Sequence, residues 1–186
     1  MMLSLLILAL DVLKPGQGPS FDCSQSVAPV PQMICTDPVL AGMDRDMAAL
    51  YAAALGPDVS GAAAQRRQGA WQTGRDACGG KADQRTCLIR AYQQRITELK
   101  ILAGQLPVFA SAQYACEGTA AGLVSASYFQ GTPPAVLIEY QGERVVAFAA
   151  ESGSGARYTA DAVQLWEHQG IAALRWRGQN LRCPKQ

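Results

Sequence analysis

The chain has 186 residues, of which 49% are hydrophobic and 17% charged, and its formal net charge is +1. This composition excludes a disordered chain, because enough apolar residues are present to form a core. The charge balance argues against a nucleic-acid binder, which needs a basic surplus. The single histidine excludes a metal site built from several histidines. The longest apolar stretch, Met2 to Leu10, is far shorter than the roughly 20 residues that a membrane-spanning helix needs.

The N-terminal residues are apolar and typical of the core of a secretory signal peptide, although no Lys or Arg precedes them. The alternative is a short buried helix. A linker-like run that starts at Lys14 favours the signal interpretation, so residues 1–19 are predicted to be a signal-like segment and linker. The three residues before Cys23 do not form a lipid-attachment sequence. We therefore expect a soluble, periplasmic or secreted protein without a lipid anchor.

Residues 20–102 have helical periodicity and predict a small α-helical domain. Capping aspartates, a proline in a first turn and glycine breaks set the bounds of three helices. The predicted helices run from Asp37-Pro38 to Gly56-Pro57, from Ser60 to about Ala77, and from Asp83 to about Leu102. Helices this short bury little core, so we expect disulfides to stabilise them.

The six cysteines indicate a disulfide framework in an oxidising compartment, since none forms a Cys-x-x-Cys redox or zinc motif. Six cysteines allow 15 pairings, and the sequence alone does not choose among them. If the first two helices pack antiparallel, Cys35 meets Cys78, which leaves Cys23 for Cys87. These two pairings are therefore our geometric prediction for the helical domain.

After a predicted linker at residues 103–112, residues 113–186 alternate between apolar and polar positions and predict a β-domain. The predicted strands cover residues 123–129, 135–140, 144–149, 162–167, 171–176 and 180–183. Short strands with regular turns indicate an antiparallel barrel or sandwich. Joining the first strand to the last removes exposed edges, so we pair Cys116 with Cys183. The predicted fold class is thus α+β.

No acid–base motif, nucleophile elbow, phosphate loop or metal-ligand cluster is present, so the sequence predicts a protein that is not an enzyme and needs no cofactor. A hydrolase assembled from the scattered carboxylates of Glu139, Glu151 and Asp161 is one alternative. The most informative stretch is the Ser/Gly-rich run at residues 152–158, which by itself indicates only a flexible hairpin loop.

The order of motifs around that run resembles the bacterial inhibitors of c-type lysozyme, known in membrane-bound and periplasmic forms. The matching features are Tyr114-x-Cys116, Ser154-Gly155-x-x-Tyr158, Trp166 and Leu181-Arg-Cys183. The resemblance covers about residues 113–184. It implies an eight-stranded antiparallel barrel that does not catalyse a reaction but inserts a loop into the lysozyme cleft.

This resemblance also implies a lysozyme-binding site. Ser154 and Gly155 would form the inserted tip, and Tyr158 would pack beneath it. The family's lysine, two residues after the strand tryptophan, is replaced here by His168. Because a neutral imidazole donates one hydrogen bond and carries no charge, Arg157 or Arg175 is a further candidate for the cation. Strand patterning predicts that Trp166 and Trp176 belong to the core.

The helical part resembles a small four-cysteine domain found at the N-terminus of some secreted bacterial proteins, including a lipoprotein that inhibits lysozyme. Its matching motifs include Phe21-Asp-Cys23, Gln68-x-x-Trp71 and Arg75-Asp-x-Cys78. The leading hypothesis is therefore an inhibitor of c-type lysozyme that protects bacterial peptidoglycan. The alternatives are a non-catalytic module that binds the cell envelope or peptidoglycan, and the hydrolase.

Overall fold

A computed structural model describes residues 18–55, 62–118 and 122–186. The signal-like segment lies almost entirely outside these residues. Within these ranges, four α-helices precede eight β-strands, and short 3₁₀ turns occur at Cys23–Gln25 and Ala77–Gly80. The helices are α1 Pro29–Thr36, α2 Pro38–Leu55, α3 Ala62–Asp76 and α4 Gln84–Leu102. None of the helices in the described ranges has the length and apolar character that crossing a bilayer requires.

Two of the helices, α2 and α4, begin at the capping aspartates that the sequence predicts. Asp37 Oδ1 accepts a hydrogen bond from the backbone N–H of Val39 at 2.8 Å, at the start of α2. Asp83 Oδ1 accepts one from the N–H of Thr86 at 3.0 Å, at the start of α4. The predicted second helix is α3, and its proposed cap, Ser60, lies outside the described residues.

Both disulfides predicted for the helical region are wrong. Cys23 pairs with Cys35 and Cys78 pairs with Cys87. The prediction omitted α1, which contains Cys35 in its last turn and brings it next to Cys23. The other two cysteines flank the connection between α3 and α4. Both bonds are therefore local, with sequence separations of 12 and 9 residues, and neither joins the start of α2 to the end of α3.

A buried polar network lies at the centre of the helical region. Asp44 is only 1% exposed, and its Oδ1 accepts a hydrogen bond from the Tyr92 hydroxyl at 2.8 Å. Its Oδ2 accepts from both the backbone N–H and the hydroxyl of Ser20, at 2.7 and 2.5 Å. The buried guanidinium of Arg75 lies 3.8 Å from Asp44 Oδ1 and pairs with Asp76 at 2.8 Å. Burial raises the pKa of Tyr92, so its hydroxyl remains a donor.

The described residues from 110 onward form one eight-stranded sheet in which every strand is antiparallel to the next. The strands are β1 Ala110–Ala115, β2 Leu123–Phe129, β3 Ala135–Tyr140, β4 Glu143–Ala150, β5 Ala156–Ala160, β6 Val163–His168, β7 Ile171–Trp176 and β8 Gln179–Pro184. β1 begins inside the predicted linker. β5 lies where only a loop was predicted. The other strands agree with the alternation in the sequence.

The sheet curves so that its first and last strands meet, which gives the barrel implied by the resemblance. The backbone N–H of Gln186 donates to the Gln113 carbonyl at 2.9 Å, and Tyr114 forms a bridge to Lys185. Cys116 is bonded to Cys183, as predicted. Residues at alternate positions along the strands face inward and fill the interior of the barrel. Among them are Val124, Val136, Ile138, Leu165, Leu174 and Trp176.

The end of α4 packs against the outer face of the barrel. Ile101 is buried in a small cluster with Phe129, Leu137 and Val146. One turn earlier, Thr97 Cγ2 lies 2.9 Å from the position that a Cβ would occupy at Gly131. The β2–β3 connection can approach the helix this closely because residue 131 has no side chain.

We expect Asp44→Ala to lower the free energy of unfolding by about 3 kcal/mol, because it removes one partner from a buried charged network. Urea denaturation followed by far-UV circular dichroism measures this change. Asp46→Ala is the matched control, since Asp46 lies on the same helix and is exposed, and it is expected to alter stability by less than about 0.5 kcal/mol. Equal losses for the two variants would contradict a stabilising role for the network.

Candidate functional site

The turn between β4 and β5, residues 151–155, is exposed at the rim of the barrel. Gly155 has a φ of +66°, and a Cβ there would lie 2.2 Å from the carbonyl oxygen of Glu167. The turn therefore packs directly on the backbone of β6, and a residue with a side chain cannot occupy position 155 without displacing one of the two segments.

Trp166 holds this turn from the outer face of β6. Its indole Nε1 donates a hydrogen bond to the Ser154 carbonyl at 2.9 Å. The Ser152 hydroxyl donates to the same carbonyl at 2.5 Å. The hydroxyl of Ser154 itself has no hydrogen-bond partner among the residues that the structure describes, so it is available to a ligand.

The prediction that both tryptophans belong to the core is correct for Trp176 and wrong for Trp166. Trp176 is 3% exposed, whereas Trp166 is 38% exposed. The strand alternation contained the signal for this difference. Val163 and Leu165 face the interior, so the intervening and following positions, including Trp166, must face outward.

His168 lies beside the turn, at the end of β6. Its side chain is exposed, and its ring stacks along Trp166 with centroids 6.4 Å apart and planes at 27°. A Cβ at Gly155 would lie 3.0 Å from the Cβ of His168. The fold thus brings the Ser154 turn and His168, which are 14 positions apart, to one edge of the barrel.

Arg157 lies next to Trp166 on the neighbouring strand, because the two residues are partners in the β5–β6 register. Its Nε is buried and has no hydrogen-bond partner within the described residues. Arg157 and Trp166 line a surface cleft of about 510 Å³ together with Glu151, Ser152 and Gly153. Arg175 is exposed on β7 and does not line this cleft.

Tyr158 is half-buried, and its ring lies 5.6 Å from that of Tyr128. The hydroxyls of Tyr128 and Tyr114 are 3.0 Å apart. Burial raises the pKa values of all three phenols. Tyr158 therefore belongs to a neutral tyrosine cluster in the barrel, and it adds no charge to the turn.

The three carboxylates considered for a hydrolase do not share a cleft. Glu139 forms an ion pair with Arg144 at 3.3 Å. Glu151 lines the cleft beside the turn, whereas Asp161 lines a different cleft, next to the helices. The arrangement gives no support to acid–base chemistry by these three groups.

Residues 114–182 match the family model described as membrane-bound lysozyme-inhibitor of c-type lysozyme. Lipoprotein LprI of Mycobacterium bovis is 34% identical over 169 residues, which cover 91% of this chain and 85% of the relative. LprI of Mycobacterium tuberculosis matches equally well. Among solved structures, a match is found to the crystal structure of Pseudomonas aeruginosa MliC in complex with hen egg white lysozyme. The matched chain has 22% sequence identity, the match covers 41% of this chain and 81% of the matched chain, and the TM-score is 0.36. The chain therefore belongs to the LprI lipoprotein family, and its barrel carries the match to the c-type lysozyme inhibitors.

Proposed function

We propose that this protein inhibits c-type lysozyme by inserting the β4–β5 turn into the active-site cleft of the enzyme, and that it thereby protects bacterial peptidoglycan. The observation that carries the proposal is the exposed Ser154 turn, held by Trp166 at the edge of a barrel that matches the inhibitor family. The protein acts by occupying the cleft and does not catalyse a reaction itself.

The chemistry of the target favours this turn. Lysozyme cleaves glycosides with two carboxyl groups, one of which is held protonated. A group that donates hydrogen bonds is therefore complementary to the cleft, and the Ser154 hydroxyl is such a donor. Because Trp166 and Gly155 already fix the backbone of the turn, little conformational entropy is lost when it binds.

Two side chains beside the turn can complement an ionised carboxylate. His168 lies next to Gly155, and the resemblance to the inhibitors implies that it stands where they have a lysine. Arg157 adds a permanent cation and lines the cleft behind the turn, with its Nε buried and without a hydrogen-bond partner among the described residues. We assign both residues to the lysozyme contact, with Arg157 supplying a permanent positive charge and His168 a hydrogen-bond donor.

The three disulfides favour an exported protein, in the periplasm or secreted. The curated relatives are named lipoproteins. In this chain the sulfur of Cys23 is bonded to Cys35, which supports the view that Cys23 is not a lipid-attachment site.

The purified protein is expected to slow the lysis of bacterial cell walls by c-type lysozyme in a turbidity assay. Goose-type and invertebrate-type lysozymes, tested side by side, define the range of targets. Unchanged lysis by c-type lysozyme at a large molar excess of the protein would refute the proposed function. Lysis by the protein alone would instead support the hydrolase.

Ser154→Ala is expected to raise the inhibition constant about tenfold or more, because it removes a hydrogen bond to a charged or acidic group in a desolvated cleft. The matched control is Ser111→Ala, which changes an exposed serine on β1. We expect this control to inhibit like the wild type. Equal inhibition constants for Ser154→Ala and the wild type would contradict the role of the hydroxyl while leaving inhibition by the barrel possible.

Gly155→Ala tests whether the shape of the turn is required. The new Cβ would collide with the Glu167 carbonyl, so the turn must move and inhibition should weaken at least tenfold, at a stability cost of about 1–3 kcal/mol. Gly153→Ala is the control, because a Cβ at Gly153 meets no atom within 4 Å. Inhibition constants and thermal unfolding curves are measured for both. Full inhibition by Gly155→Ala would show that the shape of the turn does not matter.

A further inference from the structure

A second cleft, separate from the Ser154 turn, lies between the helical region and the outer face of the barrel. It has a volume of about 1010 Å³ and is lined by α3, α4, β4, the end of β5 and the neighbouring turns. This volume is at the upper end of the range for small-molecule sites. The lysozyme inhibition proposed above makes no use of it, since neither Ser154 nor His168 lines it.

One part of the cleft surface is apolar. Trp71 of α3 and Leu102 of α4 contribute from the helices, and Val145, Val146 and Phe148 contribute from β4. Leu102 is 40% exposed, and Phe148 is half-buried at the edge of the cluster around Ile101. These side chains offer a surface along which a hydrocarbon chain could be removed from water.

The same cleft is rich in arginine. Six of the twelve arginines of the chain line it, namely Arg67, Arg75, Arg90, Arg95, Arg144 and Arg177. The carboxylates that line it are those of Glu98 and Asp161. The excess of guanidinium groups makes the cleft complementary to an anion, and arginine is suited to planar contacts with carboxylate and phosphate.

Two of these arginines have no ion-pair partner among the residues that the structure describes. Arg75, Arg95, Arg144 and Arg177 each form an ion pair with a carboxylate. Arg67 and Arg90 form no ion pair with any residue in the described ranges. Both side chains are exposed, one on α3 and the other on α4. They are therefore the guanidinium groups of this cleft that no carboxylate in the described ranges neutralises.

We propose that this cleft binds an amphiphilic anion, a single hydrocarbon chain that carries a phosphate or carboxylate head group. The head group pairs with Arg67 and Arg90, and the chain lies along Leu102 and the apolar side chains of β4. The proposal requires both features of the cleft. A neutral amphiphile leaves the arginines without a partner, and a free inorganic anion leaves the apolar surface in water.

Isothermal titration calorimetry of the full chain tests the proposal, with ligands kept below the concentrations at which they form micelles. Dodecyl phosphate and dodecanoate are expected to bind. Comparing their affinities shows whether the cleft prefers a phosphate or a carboxylate head group. Neutral dodecyl maltoside and inorganic phosphate are expected to bind at least tenfold more weakly. Equal affinity for dodecyl maltoside, or for inorganic phosphate, would overturn the proposal.

Variants locate the binding in this cleft. Arg67→Gln and Arg90→Gln change exposed residues and should each weaken dodecyl phosphate binding about tenfold. Leu102→Gln should weaken it through the apolar part of the cleft. Arg66→Gln is the matched control, because Arg66 is exposed on α3 and does not line the cleft. Identical affinities in all four variants would refute the site, and lysozyme inhibition is expected to stay unchanged in each.

Discussion

The contact between the first and last strands is the constraint on which the barrel depends. An open eight-stranded sheet would leave two edges with unpaired backbone groups. Here β1 and β8 meet, and the Cys116–Cys183 bond joins them across 67 residues of sequence. In the chain-entropy account, a covalent link over so long a loop restricts the unfolded chain more than the two local bonds of the helical region do. Because β1 and β8 are held together, the strands and the turns that connect them at the rim of the barrel are held in place as well.

The β4–β5 turn shows how a small exposed segment can be rigid without being buried. Its backbone is held by the Trp166 indole at Ser154 and by the close approach of Gly155 to Glu167. These contacts involve the backbone and leave the Ser154 hydroxyl unused. Trp166, whose side chain holds the turn, lies outside the core. There its indole N–H donates one hydrogen bond to the backbone of the turn.

Local patterns predicted most of this fold, because helix caps and strand alternation depend on neighbouring residues only. The features that were predicted wrongly either depend on tertiary structure or lie where the sequence has no recognisable periodicity. The helix α1 begins with two prolines that resemble a linker, and without it the cysteine pairing could not be derived. The strand β5 has five partly buried residues and no alternation. The resemblance placed Ser154 in an exposed turn, but the role of Trp166 depends on the β5–β6 register, which the sequence did not specify.

The absence of a side chain at Gly131 has a consequence for the whole molecule. The β2–β3 connection meets α4 at Thr97 with no room for an additional carbon atom. A larger residue at this position would collide with Thr97 and push α4 away from the strands. Such a shift would separate the two walls of the second cleft, the one that bears Arg90 and the one that bears Phe148.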